Sequence, residues 1–453
     1  MPSRRFVRLS NIAIKNNFLS PPKTSKKVHV SPYYSMFCHI KSVERERFLA
    51  RPWFTYLTIS DILTWKFYLC LEKKLVKITC KQQDLSRGLS VVNHAVSSRS
   101  TLPILANILL TTDHGRLKLS ATNLEIGINC WIDAEILAEG ATTIPAKTFT
   151  DLVNSLRQHQ VELSVPEESH TINVKCQGTN STIKGMDPSE FPLIPSAEGG
   201  EPPVTLEAKL LKEMIEQVAF AAADDDSRPV FTGVHVEVTN EQLTFAAADA
   251  FRLAVRVAPL PGEVQSHDNI LVPGRTLSEL ARILPSEGSV QMIVTPNRSQ
   301  VLFHTDNIDL VSRLIEGTFP NFRQIIPKEH STRAVVGTKE FAAAVKTVVP
   351  FARDSSNIAR VKINGGGGGI EPGLLTIEAT AEDIGSNIST INAAVDGPEQ
   401  QIIFNVKYLA DVLAVLDTPE AAIEVTSPAR PGVVKPVGSA DYTYVIMPMS
   451  TNR

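Results

Sequence analysis

Apolar positions along the chain follow two periods, and their order repeats. Leu85, Leu89, Val92 and Val96 recur at helical spacing, as do Leu210, Met214, Val218 and Ala221, and then Phe341, Val345 and Val348. Each set predicts an amphipathic helix. Behind each come short runs of period two: Ile108–Leu110 with Leu117–Leu119, Val234–Val238 with Leu243–Phe245, and Val361–Ile363 with Leu374–Ile377. These read as antiparallel strands. A strand, a turn and a second helix then return as Thr142–Leu156, Asn269–Leu284 and Gln401–Leu416. Ile144 and Val272 lie 128 residues apart, Val272 and Phe404 lie 132 apart, and Leu156, Leu284 and Leu416 keep their offsets. Further strands, such as Val161–Val165 and Val290–Val294, close each unit. Two helices among antiparallel strands, three times over, predict an α+β fold of three tandem repeats. The Pro/Gly-rich stretches Ser196–Pro203 and Pro320–Pro327 read as linkers, giving units 76–197, 203–321 and 322–453. Such units are expected to join strand edge to strand edge.

The first 75 residues differ in kind. They hold 14 Lys/Arg against 4 Asp/Glu, no glycine, and 12 of the 28 aromatic residues; the remainder holds 31 Lys/Arg against 44 Asp/Glu. The apolar run Trp53–Leu71 is broken by Thr55, Thr58, Ser60, Asp61, Thr64 and Lys66, so a membrane span is not expected. No clean secretory cleavage site follows. The segment reads as a disordered or spurious extension rather than a basic targeting arm. Five widely spaced cysteines, Cys38, Cys70, Cys80, Cys130 and Cys176, contain no C-x-x-C pair and fit a reducing cytoplasm.

No catalytic constellation stands out. The run Gly365–Gly369 lacks the Lys-Ser/Thr of a phosphate-binding loop, and reads as a hairpin connection. Asp224-Asp225-Asp226 is the one stretch with a Mg²⁺-nuclease reading, but Arg228 comes two residues later and a solvated loop is favoured. The ten histidines show no ligand spacing, and no serine sits in a nucleophile elbow. No metal and no cofactor are expected. A scaffold is favoured over an enzyme. Lysines and arginines instead recur on or beside the helices: Lys147, Arg275, Arg353 and Lys407, with Arg99 and Arg228 nearby. A basic helical face on an acidic body attracts phosphate without reading bases.

Specific words then carry a resemblance. Ser100–Leu110, Ala121–Glu125, Gly317–Phe322 and Tyr444–Met449 resemble signatures of the bacterial DNA polymerase III beta subunits, the replicative sliding clamps, and the likeness spans Val76 to Met449. It implies a head-to-tail homodimer, a ring of six domains whose helices face double-stranded DNA, and a processivity subunit that catalyses nothing. Implied partners are the DNA polymerase III alpha subunit, a clamp-loader ATPase, and other polymerases and repair proteins with a clamp-binding motif. No membrane is involved. A pocket between the second and third domains would take that motif. It carries over onto Phe231, Ala248, Ala250, Phe251, Arg252, Leu253, Pro320, Gln324, Ile325, Pro431, Val445, Met447, Pro448 and Met449. The family usually has Thr-Asp-Gly-His/Tyr-Arg-Leu where this chain has Ala248–Leu253, and Arg where it has Ser450. Its first residue aligns with Val76, which is what a GTG start codon becomes inside a longer frame. A repeat-built protein-interaction scaffold that never encircles DNA is the alternative.

Overall fold

The computed structural model describes residues 76–450 except 98–99, 167–168, 196–201, 226, 261–266 and 366–372, and omits the side chains of 267–268. The extension, Arg99, Asp226 and most of the glycine run lie outside the described residues. The first repeat runs β1 (Val76–Lys81), α1 (Gln82–Asn93), β2 (Asn107–Asp113), β3 (Arg116–Thr122), β4 (Ile126–Ile132), β5 (Ala134–Ala138), β6 (Ala141–Pro145), α2 (Ala146–Ser155), β7 (Gln160–Val165), β8 (Thr171–Cys176) and β9 (Thr179–Lys184). The second runs β10 (Val204–Glu207), α3 (Ala208–Val218), β11 (Gly233–Val238), β12 (Gln242–Ala248), β13 (Arg252–Pro259), β14 (His267–Pro273), α4 (Gly274–Ile283), β15 (Ser289–Val294), β16 (Gln300–His304) and β17 (Ile308–Arg313). The third runs β18 (Thr332–Gly337), α5 (Thr338–Ala352), β19 (Ile358–Asn364), β20 (Gly373–Ala381), β21 (Gly385–Asp396), β22 (Gln400–Asn405), α6 (Val406–Ala414), β23 (Glu420–Val425), β24 (Gly432–Pro436) and β25 (Tyr442–Ile446). One order of elements is used three times, with one additional strand, β5, in the first repeat.

The predicted helical faces are the buried ones. Leu85, Leu89 and Val92 are fully buried, as are Phe341, Val345 and Val348. In α3 the face is centred one residue on, at Leu211, Met214, Ile215 and Val218, with Leu210 only packed against it. Each fully buried Leu or Val contributes about 1.5–3 kcal/mol relative to exposure. Gly88 lets α1 lie close on its sheet, because a Cβ there would stand 2.7 Å from Leu119 and 2.9 Å from Ile132.

Two of the three sheets cross from one repeat to the next. The strand orders are β5-β1-β7-β8-β9, β10-β15-β16-β17-β4-β3-β2-β6, and β14-β11-β12-β13-β25-β24-β23-β18-β21-β20-β19-β22. The last strand of one repeat thus pairs antiparallel with the fourth strand of the repeat before it. Gly127 faces Val311 at the first joint and Leu253 faces Val445 at the second. Past the ladders the bonds also match. Arg313 N–H donates to Glu125 C=O (3.0 Å) as Met447 N–H does to Phe251 C=O (2.8 Å). Ile315 N–H donates to Leu271 C=O (2.9 Å) as Met449 N–H does to Ile403 C=O (2.9 Å). The expected edge-to-edge joining is therefore by continuous β-ladders. The linker Pro320–Pro327 is not a solvated connector throughout: Phe319 and Phe322 at its start are buried.

Candidate functional site

The second joint has an apolar cluster of its own, separate from the main core. Leu253 and Val255 point to one face because strand side chains alternate. They meet Val445, Val433, Ala246, Ala248, Leu271, Phe319 and Phe322, with Phe231 and Ile326 packed against them. Across the linker, the His235 ring stacks on Phe319 at 5.3 Å and 22°, and meets Phe322 edge-on at 5.7 Å. Burial holds the His235 imidazole below its usual range and Arg323 adds to this, against the pull of Glu237. Three large apolar side chains remain open to solvent beside the cluster: Phe251 at 57%, Ile325 at 43% and Met447 at 38%. The turn presenting Phe251 is tight. Ala250 has φ 79°, and the Asp249 carboxylate accepts the N–H groups of Phe251 (2.9 Å) and Arg252 (3.0 Å).

Arg252 faces the other way, into the helices. Its guanidinium donates to Asp249 Oδ2 (2.9 Å), to the Phe220 carbonyl (2.7 Å) and to Asp411 of α6. It lies 4.6 Å over the Tyr408 ring and 5.4 Å over Phe220, and is 12% exposed. This cation ties the second repeat to the third.

The helices form a second region of interest. They carry nine Lys/Arg and seven Asp/Glu, against 22 and 37 in the rest of residues 76–453, so positive charge concentrates there. Lys147, Lys346, Arg353 and Lys407 are exposed, and among the described residues none has a carboxylate within 4.0 Å. Arg228 is exposed above the Phe231 ring, and Arg275 donates to the Asp224 carbonyl (3.3 Å). Strand cations behave differently. Lys77–Glu162, Arg333–Glu424, Arg360–Glu378, Lys362–Glu378 and Lys435–Glu424 are all paired, at 2.9–3.5 Å. Burial would raise Glu378, but hydrogen bonds from Lys362 and Arg360 overcome it and hold the carboxyl below its usual range. Lys81, Lys118, Lys175, Lys184 and Arg313 are exceptions on the strands, Lys118 lying over the Trp131 ring, and Arg87, Lys209 and Arg282 pair locally on the helices.

The sequence matches the N-terminal domain of the DNA polymerase III beta subunit over residues 76–195, its central domain over 205–321 and its C-terminal domain over 323–450. The chain belongs to the DNA polymerase III beta subunit family. Its relatives include the beta sliding clamp of Synechocystis sp., 32% identical over 393 residues covering 83% of this chain and 99% of the relative. The beta sliding clamp of Staphylococcus epidermidis is 30% identical over 387 residues, covering 83% and 100%. Among solved structures, the Bacillus subtilis sliding clamp superposes with a TM-score of 0.76 at 28% identity, covering 83% of this chain and 99% of that one. These likenesses favour the sliding-clamp reading over a repeat-built protein-interaction scaffold that does not encircle DNA. The beta subunit is a non-catalytic processivity factor of DNA polymerase III.

The beta-subunit fold brings part of the expected pocket together and separates the rest. Phe231, Ala248, Leu253 and Val445 share the cluster, with Ala250, Phe251, Met447, Pro448 and Met449 on the adjoining turn and strand end. Pro320, Gln324 and Ile325 are exposed on the linker, and Pro431 precedes β24. Arg252 is not in the apolar group, because it alternates with Leu253 along β13. Sequence reasoning missed His235, Val433 and Leu271, which stand on strands remote in the chain; only the alternation of β11 hinted at the first. Elsewhere, burial pushes the Cys80 thiol up to about 12, with Asp84 adding to the effect, so it is no nucleophile. Among the described residues no group of three His, Cys, Asp or Glu is arranged to hold a metal, and no helix is long and apolar enough to cross a membrane.

Proposed function

We propose that residues 76–197, 203–321 and 322–453 act as three clamp domains, and that two copies close head to tail into a ring around duplex DNA in the cytoplasm. The observation that carries this is the contrast in charge pairing. Strand cations are largely neutralised by cross-strand carboxylates, while Lys147, Lys346, Arg353 and Lys407 on or beside the helices are left free for phosphate. Arg228 and Arg275 join them in this reading, and Arg99 is assigned to the same face from the resemblance alone. A second support comes from the sheets. The two joints use up β4, β17, β13 and β25 and leave β9 at a sheet end and the first part of β21 bonded only to β20. A further joint of the same kind, β21 of one copy on β9 of the next, would remove both edges. Ile384 and Ile388 stand exposed at β21, at 54% and 64%.

The apolar surface at the second joint takes a hydrophobic peptide motif from the polymerase alpha subunit, the clamp loader and other polymerases or repair proteins. Phe251, Ile325 and Met447 form its open side and Leu253 and Val445 its floor. An exposed apolar patch of this kind marks an interaction site, and Met adapts to differing partners.

Retention on circular DNA tests encirclement. Chain placed on a nicked circle by its loader is expected to stay bound at moderate salt and to leave once the circle is cut. Equal loss from circular and linear DNA would show ordinary electrostatic binding instead.

A further inference from the structure

The two joints can be compared residue by residue, because their repeats align without a gap from Gln82 with Ala208 through Cys130 with Arg256. Helices α4 and α6 likewise align, Gly274 with Val406. His94 therefore stands where Phe220 does, Ile126 where Arg252 does, Thr276 where Tyr408 does and Glu279 where Asp411 does. The ladder registers set Leu310 opposite Ile128 and Tyr444 opposite Ala254, so these two also correspond.

The substitutions change what fills the helix layer. At the second joint Arg252 reaches Asp249, Asp411 and the Phe220 carbonyl, between the rings of Phe220 and Tyr408. Tyr444 packs on Phe220 at 5.7 Å, and Tyr442 Oη donates to the Gln217 carbonyl (3.0 Å). At the first joint the large groups are gone. Ile126 has no charge to offer Glu279, which turns to His94 instead (Nδ1···Oε2 2.6 Å). Thr276 takes a 3.1 Å hydrogen bond from Ser312 where Tyr408 supplies a ring at the other joint. Two clefts result, of about 570 and 700 Å³; His94 and Arg282 line both, and Glu279 lines the larger. The helix layer is bridged there chiefly by one contact with open space on either side.

We infer that the chain bends at the first joint and is held at the second, with His94–Glu279 as the latch of the bend. The strand ladder at the first joint serves as the hinge. Both joints have the same backbone bonds, so the difference in stiffness comes from side chains alone. This inference does not depend on where partner peptides bind.

The test measures each joint at repeat-equivalent positions in the full chain, with Cys38 and Cys70 replaced by serine. Paired spin labels at Ser90→Cys and Pro285→Cys report the first joint; Glu216→Cys and Asp417→Cys report the second. The distance distribution across the first joint should be at least twofold broader. Grafting the second joint onto the first, with His94→Phe, Ile126→Arg and Thr276→Tyr, should narrow it. Equal widths at both joints in the unaltered chain would overturn the inference. Amide exchange covers the case in which the graft fails to fold. Glu279→Gln should speed exchange of the β4 and β17 amides about threefold and leave β13 and β25 unchanged. No change in β4 and β17 would equally overturn it.

Discussion

The joint between the first and second repeats and the joint between the second and third share one backbone plan and differ in nearly every side chain that faces outward. Glu125, Gly127 and Arg313 at the first correspond to Phe251, Leu253 and Met447 at the second. A charged rim with a glycine floor has become an apolar rim with a leucine floor. At Gly127 a Cβ would come within 2.8 Å of Ile194, so the end of the chain's own first repeat already covers that floor. At the second joint Phe251 and Met447 stay open. The difference teaches that the ladder fixes how domains join, while a few outward residues decide whether a joint leaves an apolar surface open or covers it.

The largest expected divergence between the joints is in stability. Arg252→Ala leaves Asp249, buried like the guanidinium itself, without its cation, and unties the more exposed Asp411 as well, a change that costs about 3–5 kcal/mol. Glu279→Ala breaks a pair that is about a quarter exposed on each side and costs about 1 kcal/mol or less. Apparent urea midpoints of the two variants measure the gap. Equal losses would mean that the joints are tied alike.

A smaller effect is expected at the turns. Ala250 and Leu124 hold the same left-handed conformation, φ 79° and 76°, at equivalent positions. Ala250 is exposed, so burial of its methyl group offsets little of the crowding of its Cβ. Ala250→Gly should therefore stabilise the protein by about 1 kcal/mol, read as a rise in the same midpoint. A fall would show that glycine's extra freedom in the unfolded chain outweighs the relief.

The smallest concerns His235, which only the second joint's linker packs upon. Its folded pKa lies below its unfolded value near 6.5, so the unfolded chain binds the proton more readily. The stability from the neutral ring is present above that value and is lost as pH falls through it. Acidifying from pH 7.5 to 5.5 should lower the urea midpoint more in the parent than in His235→Phe. An identical drop in both would place the sensitive group elsewhere.

Much of the fold was legible in the chain. The three repeats, their helix faces and their closing strands follow from apolar spacing, because burial enforces period 3.6 on α1 and α5 and period two on β7 and β15. Joining by strand edges was legible from architecture alone. The partners were not: nothing local says that β25 pairs with β13, almost 190 residues away. The apolar site was half legible. Phe251 and Met447 sit in recognisable words, whereas His235 and Val433 join them only through the sheet. Arg252 was placed with its neighbours in sequence, and alternation along the strand sends its guanidinium to the opposite face. Asp411 looked like a helix-surface acid, and its partner became visible only across the joint.

Calorimetric titration with a short peptide bearing a Leu-Phe pair tests whether the second joint is the partner-binding one. Leu253 is a poor position to truncate, since it is 2% exposed and its loss would also unsettle the core. Phe251→Ala with Met447→Ala avoids that and should weaken binding at least tenfold, about the 1.5–3 kcal/mol of one buried apolar side chain. Glu125→Ala with Arg313→Ala, the same two positions at the first joint, should leave it unchanged. Unaltered affinity in the first variant, or lost affinity in the second, would contradict the assignment.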